Sequence, residues 1–186
     1  PYAPRRVPVP YHWVILGAGT LGVIMSAPGQ TIGVSAFIDA LLEVLGITRL
    51  QLSNAYLLGT GGSALLLPLA GAAYDRWGAR WVAGGVAVLL GLVLVGLSQC
   101  DRLVGAVRPW FPSVGSSGVA FGVITALFLA LRFFGQGVIA MVPRNMVMKW
   151  FLRRRGLAAA VIGVFLSLTF SCTPLILDAL IARVGW

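Results

Sequence analysis

The charges of this chain fall in short clusters and leave long runs without any. Residues 53–73 carry no charge, and residues 81–100 carry none either. A bilayer's hydrocarbon core takes about 20 consecutive apolar residues in a helix. A charge at its centre costs roughly 2.5–3.5 kcal/mol on insertion scales. Five apolar runs of the chain reach that length. The 186 residues are 59% hydrophobic and 10% charged, against about 25% charged residues in ordinary soluble domains. Together these constraints predict an all-α integral membrane protein.

The predicted helices cover roughly residues 12–37, 50–73, 80–99, 118–149 and 156–181, behind a solvated lead-in at 1–11 that holds four prolines and Arg5-Arg6. Gly17, Gly19, Gly22, Pro28, Gly29 and Gly33 make the first helix thin and breakable. Such residues are tolerated in a span where neighbours satisfy the backbone. Residues 39–51 read as a loop with a short amphipathic extension. Residues 100–117 read as the longest loop, its Pro109-Trp110-Phe111-Pro112 at an interface. With the N-terminus cytoplasmic, nine cations (Arg5, Arg6, Arg76, Arg80, Arg144, Lys149, Arg153, Arg154, Arg155) fall inside and four (Arg49, Arg102, Arg108, Arg183) outside. That asymmetry predicts the N-in orientation. It also accounts for the net charge of +9 without a nucleic-acid partner. The six tryptophans fall at predicted helix ends, where aromatic belts form.

Several soluble chemistries are excluded. Gly17-x-Gly19-x-x-Gly22, with Asp39 downstream, fits the dinucleotide fingerprint, but that motif needs a strand, a turn and a parallel sheet around it. Here it reads as close helix packing. The run Gly59-Thr60-Gly61-Gly62 has no following Gly-Lys-Ser/Thr and is no phosphate loop. One histidine, five acids and two cysteines without motif spacing give no metal cluster and no nucleophile–base pair. No cofactor and no enzymatic activity are expected, and His12 reads as interfacial.

Between the second and third runs stands a polar hinge containing Gly71, Asp75, Arg76, Gly78 and Arg80. It resembles the helix 2–3 loop motif of the major facilitator superfamily, roughly Gly-x-x-x-Asp-Arg/Lys-x-Gly-Arg-Arg/Lys. Ala79 departs where the family often has a basic residue. Arg132-Phe133-Phe134-Gly135-Gln136-Gly137 resembles the superfamily's helix 4 motif. Asn145-x-x-x-Lys149-Trp150-Phe151, then Arg154-Arg155-Gly156 and Thr173-Pro174, is similar to the monocarboxylate transporter and oxalate–formate antiporter branches. Ser53-x-x-Tyr56-x-x-Gly59-Thr60 is similar to that group too. Pro28 is followed by Gly29 and Gln30 rather than the lysine of many proton-linked carriers. The helix 5 signature of drug antiporters is missing between Gly163 and Pro174.

The resemblance implies the N-terminal half of a major facilitator transporter, five spans ending before a sixth, completed by a C-terminal six-helix half. It implies secondary transport of a small organic anion such as a monocarboxylate, a proton being a candidate co-substrate, in a plasma (inner) membrane. A sugar or drug carrier of the same superfamily, or a non-transporting membrane fragment, is the alternative. Arg132 is the leading candidate for the substrate or coupling site, because intramembrane charges usually face a cavity and mark a transport path. An arginine bonding to backbone freed around Pro28 is the structural alternative. Gln30, Asn54, Tyr56 and Gln136 are the other candidates, and Thr31 is a further polar group in apolar surroundings that could line a cavity with them. Gly71, Asp75, Arg76, Gly78, Arg80 and Arg144 form the expected gating group, with Asp75 pairing to Arg144 when the inner side is closed.

Overall fold

A computed structural model describes residues 11–184. The lead-in with Arg5 and Arg6, and Trp186, lie outside the described residues. Within them the chain is all-helical, with no strand. Helix α1 (Tyr11–Ile24) gives way to a single 3-10 turn, Ala27–Gly29, and a short α2 (Thr31–Ser35). The single first helix expected over 12–37 is therefore interrupted. Pro28 lies within that turn and has no N–H to offer a helical ladder. The Ser26 hydroxyl donates to the Val23 carbonyl at 2.6 Å, and the Gln30 amide side chain donates to Ser26 Oγ at 3.2 Å. Helix α3 (Ile38–Leu45) turns Leu41 inward and leaves Asp39 and Glu43 in the open, so the expected amphipathic extension is a full helix. Gly46 ends it in the left-handed conformation at φ 59°, where a residue without Cβ is favoured.

Helix α4 (Arg49–Ser98) starts on a capping box. Gln51 N–H donates to Thr48 Oγ1, and Thr48 N–H donates to Gln51 Oε1, which satisfies two of the first-turn donors. At Gly78 the backbone leaves helical geometry, with φ 79° and ψ 165°, a region only glycine occupies readily. The arms 49–77 and 79–98 fold back on each other there. A Cβ placed on Gly59 would touch Leu129 and Phe128, and one on Gly96 would touch Leu127. A straight helix would hold positions 59 and 96 about 55 Å apart at 1.5 Å per residue. The hinge expected over 74–79 thus shrinks to one residue, because Tyr74 to Trp77 stay helical.

The segment read as the longest loop holds α5 (Cys100–Val107) and a 3-10 turn, Arg108–Trp110. Cys100 is buried against the core, with its thiol pushed up in pKa by desolvation. Helix α6 (Ser116–Leu131), a π-helical segment (Arg132–Ile139) and α7 (Ala140–Trp150) form one rod. Both arms of α4 and the first helix pack on it. The arm 49–77 runs along it in the same direction, with Gly59 at Leu129 and Leu67 at Gly137. Helix α1 runs against it, with Gly19 at Val147, Gly22 at Pro143 and Gly29 at Gly135. Helix α8 (Arg155–Val184) packs its first turns, through Ala158 and Ile162, on α1 and α7.

Among the described residues four helices are long and apolar enough to cross a membrane. In the apolar windows of α4 and α8, only 11% and 6% of the residues are buried. Leu65 and Leu175 stand in the open at 82% and 71% exposure. Apolar faces of that extent are costly in water and cost nothing in lipid. Hydrocarbon also demands that backbone groups be paired within the segment, as a helix pairs them.

Candidate functional site

The two irregular stretches of the bundle meet. The interruption of the first helix lies against the π-helical segment, and Arg132 stands at its first position. Such π segments are frequent at functional sites. Arg132 is 16 residues after Ser116 and 18 before Trp150, halfway along its rod. It is buried, at 8% exposure.

Its contacts come from three helices. Arg132 Nη1 donates to the Gly29 carbonyl at 3.2 Å, and at 3.5 Å it reaches Thr31 Oγ1. The guanidinium carbon lies 5.1 Å from the centre of the Tyr56 ring, within cation–π range. Tyr56 Oη and Thr31 Oγ1 share a hydrogen bond of 2.9 Å. The Tyr56 ring packs edge-on against Phe128 at 5.4 Å. The Gly29 carbonyl is free of the helical ladder because Gly33 N–H, its i+4 donor, bonds to the Gln30 carbonyl instead. Arg132 therefore satisfies backbone at the break, which was the structural alternative for this residue.

The accounting at Arg132 does not close. Among the described residues its buried Nε has no hydrogen-bond partner, and Nη1 is the one nitrogen of the three that bonds. Among the described residues the one ion pair is Arg49–Asp39, at the end of the bundle away from Gly78. Among the described residues no carboxylate pairs with Arg132. An arginine does not shed its charge in proteins, and a buried charge is ordinarily paired. Nε and Nη2 form one edge of the planar fork, the geometry that matches a carboxylate with two parallel bonds.

The other candidates separate. Tyr56 touches Arg132. Gln30 lies on the break, and its Nε2 donates to Ser26 Oγ rather than to Arg132's neighbours Thr31 and Tyr56. Asn54 is exposed. It lies two positions from Tyr56, and residues so spaced do not share a helix face. Gln136 is exposed as well. Thr31 joins the site by bridging Arg132 and Tyr56. Its position directly after Pro28-Gly29-Gln30 marks it in the sequence as the first residue past the break. Gly29 joins through its carbonyl, an acceptor that no side-chain pattern reveals.

The gating group lies at the Gly78 end. Asp75, Arg76, Arg80 and Arg144 are exposed, and Gly71 has open space around it. Among the described residues Asp75 makes no ion pair, so the expected Asp75–Arg144 pair is not formed in this conformation. The hinge meets the rod where Tyr74 packs with Val138 and Val142 and where the Lys149 ammonium lies 4.8 Å from the centre of the Tyr74 ring. No group of three or more potential metal ligands occurs among the described residues. Compared with protein-family models, curated proteins and solved structures, the chain finds no match in any of the three.

Proposed function

We propose that this chain forms the N-terminal helical part of a secondary transporter for a small organic anion such as a monocarboxylate. The proposed carrier is of the major facilitator type and works by alternating access. The observation that carries the reading is Arg132, a mid-rod guanidinium that among the described residues has a free donor edge and no carboxylate partner. Charges inside a membrane segment mark ion and substrate pathways, and this one lies beside a broken helix, as the binding sites of secondary transporters do. On this reading the chain crosses the membrane five times, twice through α4, with its N-terminus in the cytoplasm of a cell bounded by a plasma (inner) membrane. The resemblance supplies the rest as proposal: a second helical half completes the site, and a proton is the candidate coupled ion.

The test is counterflow in proteoliposomes made with the carrier that contains this chain. Propanoate, a dicarboxylate, glucose and propanamide are the probes. Carboxylate exchange that propanamide does not compete is the expected result. Exchange of glucose alone would move the assignment to a sugar carrier, and exchange of none would leave a membrane protein without this transport activity.

A further inference from the structure

Thr31 and Tyr56, which both touch Arg132, also line a cavity on their other side. This cavity of about 300 Å³ opens at the end of the bundle away from Gly78. Its polar wall is Arg49, Ser53 and Tyr56 from α4, with Thr31 and Ser35 from the first helix. Arg49, Ser53 and Tyr56 are spaced i, i+4 and i+7, which puts them in one stripe of a helix. The stripe descends about 10 Å, seven residues at 1.5 Å each, from an exposed arginine to the ring that covers the buried one.

We propose that this cavity is a first anion-binding site, in which Arg49 takes the ligand carboxylate before it reaches Arg132. The proposal rests on the reading of the chain as an anion carrier. Arg49 already holds a carboxylate: Asp39 Oδ1 lies 2.8 Å from its Nη2. Asp39 thus stands where a ligand's carboxylate would bind, and it competes with that ligand from within the chain. The exchange is easy, because the pair is open to solvent, with side chains 72% and 88% exposed. Ion pairs of that kind contribute about 0–1 kcal/mol.

The remaining donors suit the same ligand. Among the described residues Ser53 has no hydrogen-bond partner. Thr31 and Tyr56 share a single bond between two hydroxyls, so one hydroxyl proton is left to donate. Ser35 is different: its proton goes to the Ile32 carbonyl at 2.8 Å, which leaves it an acceptor. The carboxylate therefore belongs on the Arg49–Ser53–Tyr56 side. The opposite wall of Val34, Ile38, Leu52 and Phe128 takes a short alkyl chain. The floor is the Thr31–Tyr56 pair, both members of which touch Arg132. Breaking their mutual bond in favour of the ligand opens the way to the buried guanidinium.

The test is saturation-transfer NMR on the full chain in lipid nanodiscs, with propanoate as ligand and propanamide as its neutral control. Asp39→Asn removes the internal competitor and is expected to tighten propanoate binding. Arg49→Gln is expected to weaken it. Each change is about threefold, the size of an exposed ion pair's contribution, and propanamide is expected to respond to neither. Both substitutions lie in solvent, so a folding failure does not imitate the result. Opposite signs at two members of one pair are not what loss of a structural contact produces. If both variants bind like the wild type while Arg132→Lys loses propanoate, this site is overturned and the transport reading stands. If the wild type does not distinguish propanoate from propanamide, both are overturned.

Discussion

Gly29 and Gly135 touch backbone to backbone. A Cβ built on Gly29 would lie 2.5 Å from Gly135 Cα, and one on Gly135 would lie 2.6 Å from Gly29 Cα. This crossing holds the interrupted first helix against the π-helical segment and brings the Gly29 carbonyl within reach of Arg132. Small residues are the usual means of close helix approach in membranes. Here the approach also positions a charge.

Alanine at either glycine is expected to push the two helices apart. Neither neighbour is a flexible side chain that could swing away. Overpacking of that kind costs about 1–3 kcal/mol. Gly61 and Gly84 have open space where a Cβ would stand, so alanine there is the control. Thermal unfolding in detergent is expected to show a lowered Tm for Gly29→Ala and Gly135→Ala and little change for the controls. Equal Tm values across all four variants would contradict the crossing.

The hinge makes a second contrast. Gly71 and Gly78 both belong to the loop motif, but only Gly78 has a backbone that needs glycine. Gly78→Ala is expected to destabilise the α4 hairpin by about 1–3 kcal/mol, the cost of holding a side chain in that region. Gly71→Ala is expected to be nearly neutral in the same unfolding measurement. A reversed order would mean that the turn does not pass through Gly78.

What the sequence disclosed follows from what patterns encode. Charge-free runs fixed the helices, because hydrocarbon penalises charge wherever it falls. The turn near Gly78 was legible because two glycines and three charges interrupt two such runs. Arg132 was legible as a buried charge, and Pro28 as the weak point it supports. Helix α5 was not, since Asp101, Arg102 and Pro109 resemble loop chemistry, and its placement depends on burying Cys100 against the core. The π-helical segment was not legible either. Nothing in Arg132 to Ile139 distinguishes it from an α-helix until Gly29 presses on Gly135. Asn54 and Gln136 stand out in the sequence by polarity alone, and polarity does not say which way a helix face turns.

The proposed orientation has its own check. Cysteines introduced singly at positions 108 and 154 are expected to react differently with an impermeant maleimide added to intact cells. Position 108 follows α5 and position 154 precedes α8, in segments that the charge asymmetry assigns to opposite sides. Position 108 is expected to label from outside and position 154 only after permeabilisation. The opposite pattern would invert the N-in assignment.

Arg132 gives the most direct prediction. Its Nη1 supports the break in the first helix, and its Nε–Nη2 edge is free. These are separable roles. Arg132→Lys retains a cation that can donate to the Gly29 carbonyl, yet it loses the planar fork that meets a carboxylate through two bonds. It is expected to fold and reach the membrane at wild-type level while transporting carboxylates poorly. Arg132→Ala removes both roles. It leaves the Gly29 carbonyl without its donor, which costs about 1–3 kcal/mol for a buried group, and it is expected to be both less stable and inactive. Uptake of propanoate in proteoliposomes holding matched amounts of the carrier measures the first effect, and unfolding in detergent measures the second. Near-normal uptake by both variants would take Arg132 off the substrate path. A normal Tm for Arg132→Ala would remove its support of the break as well.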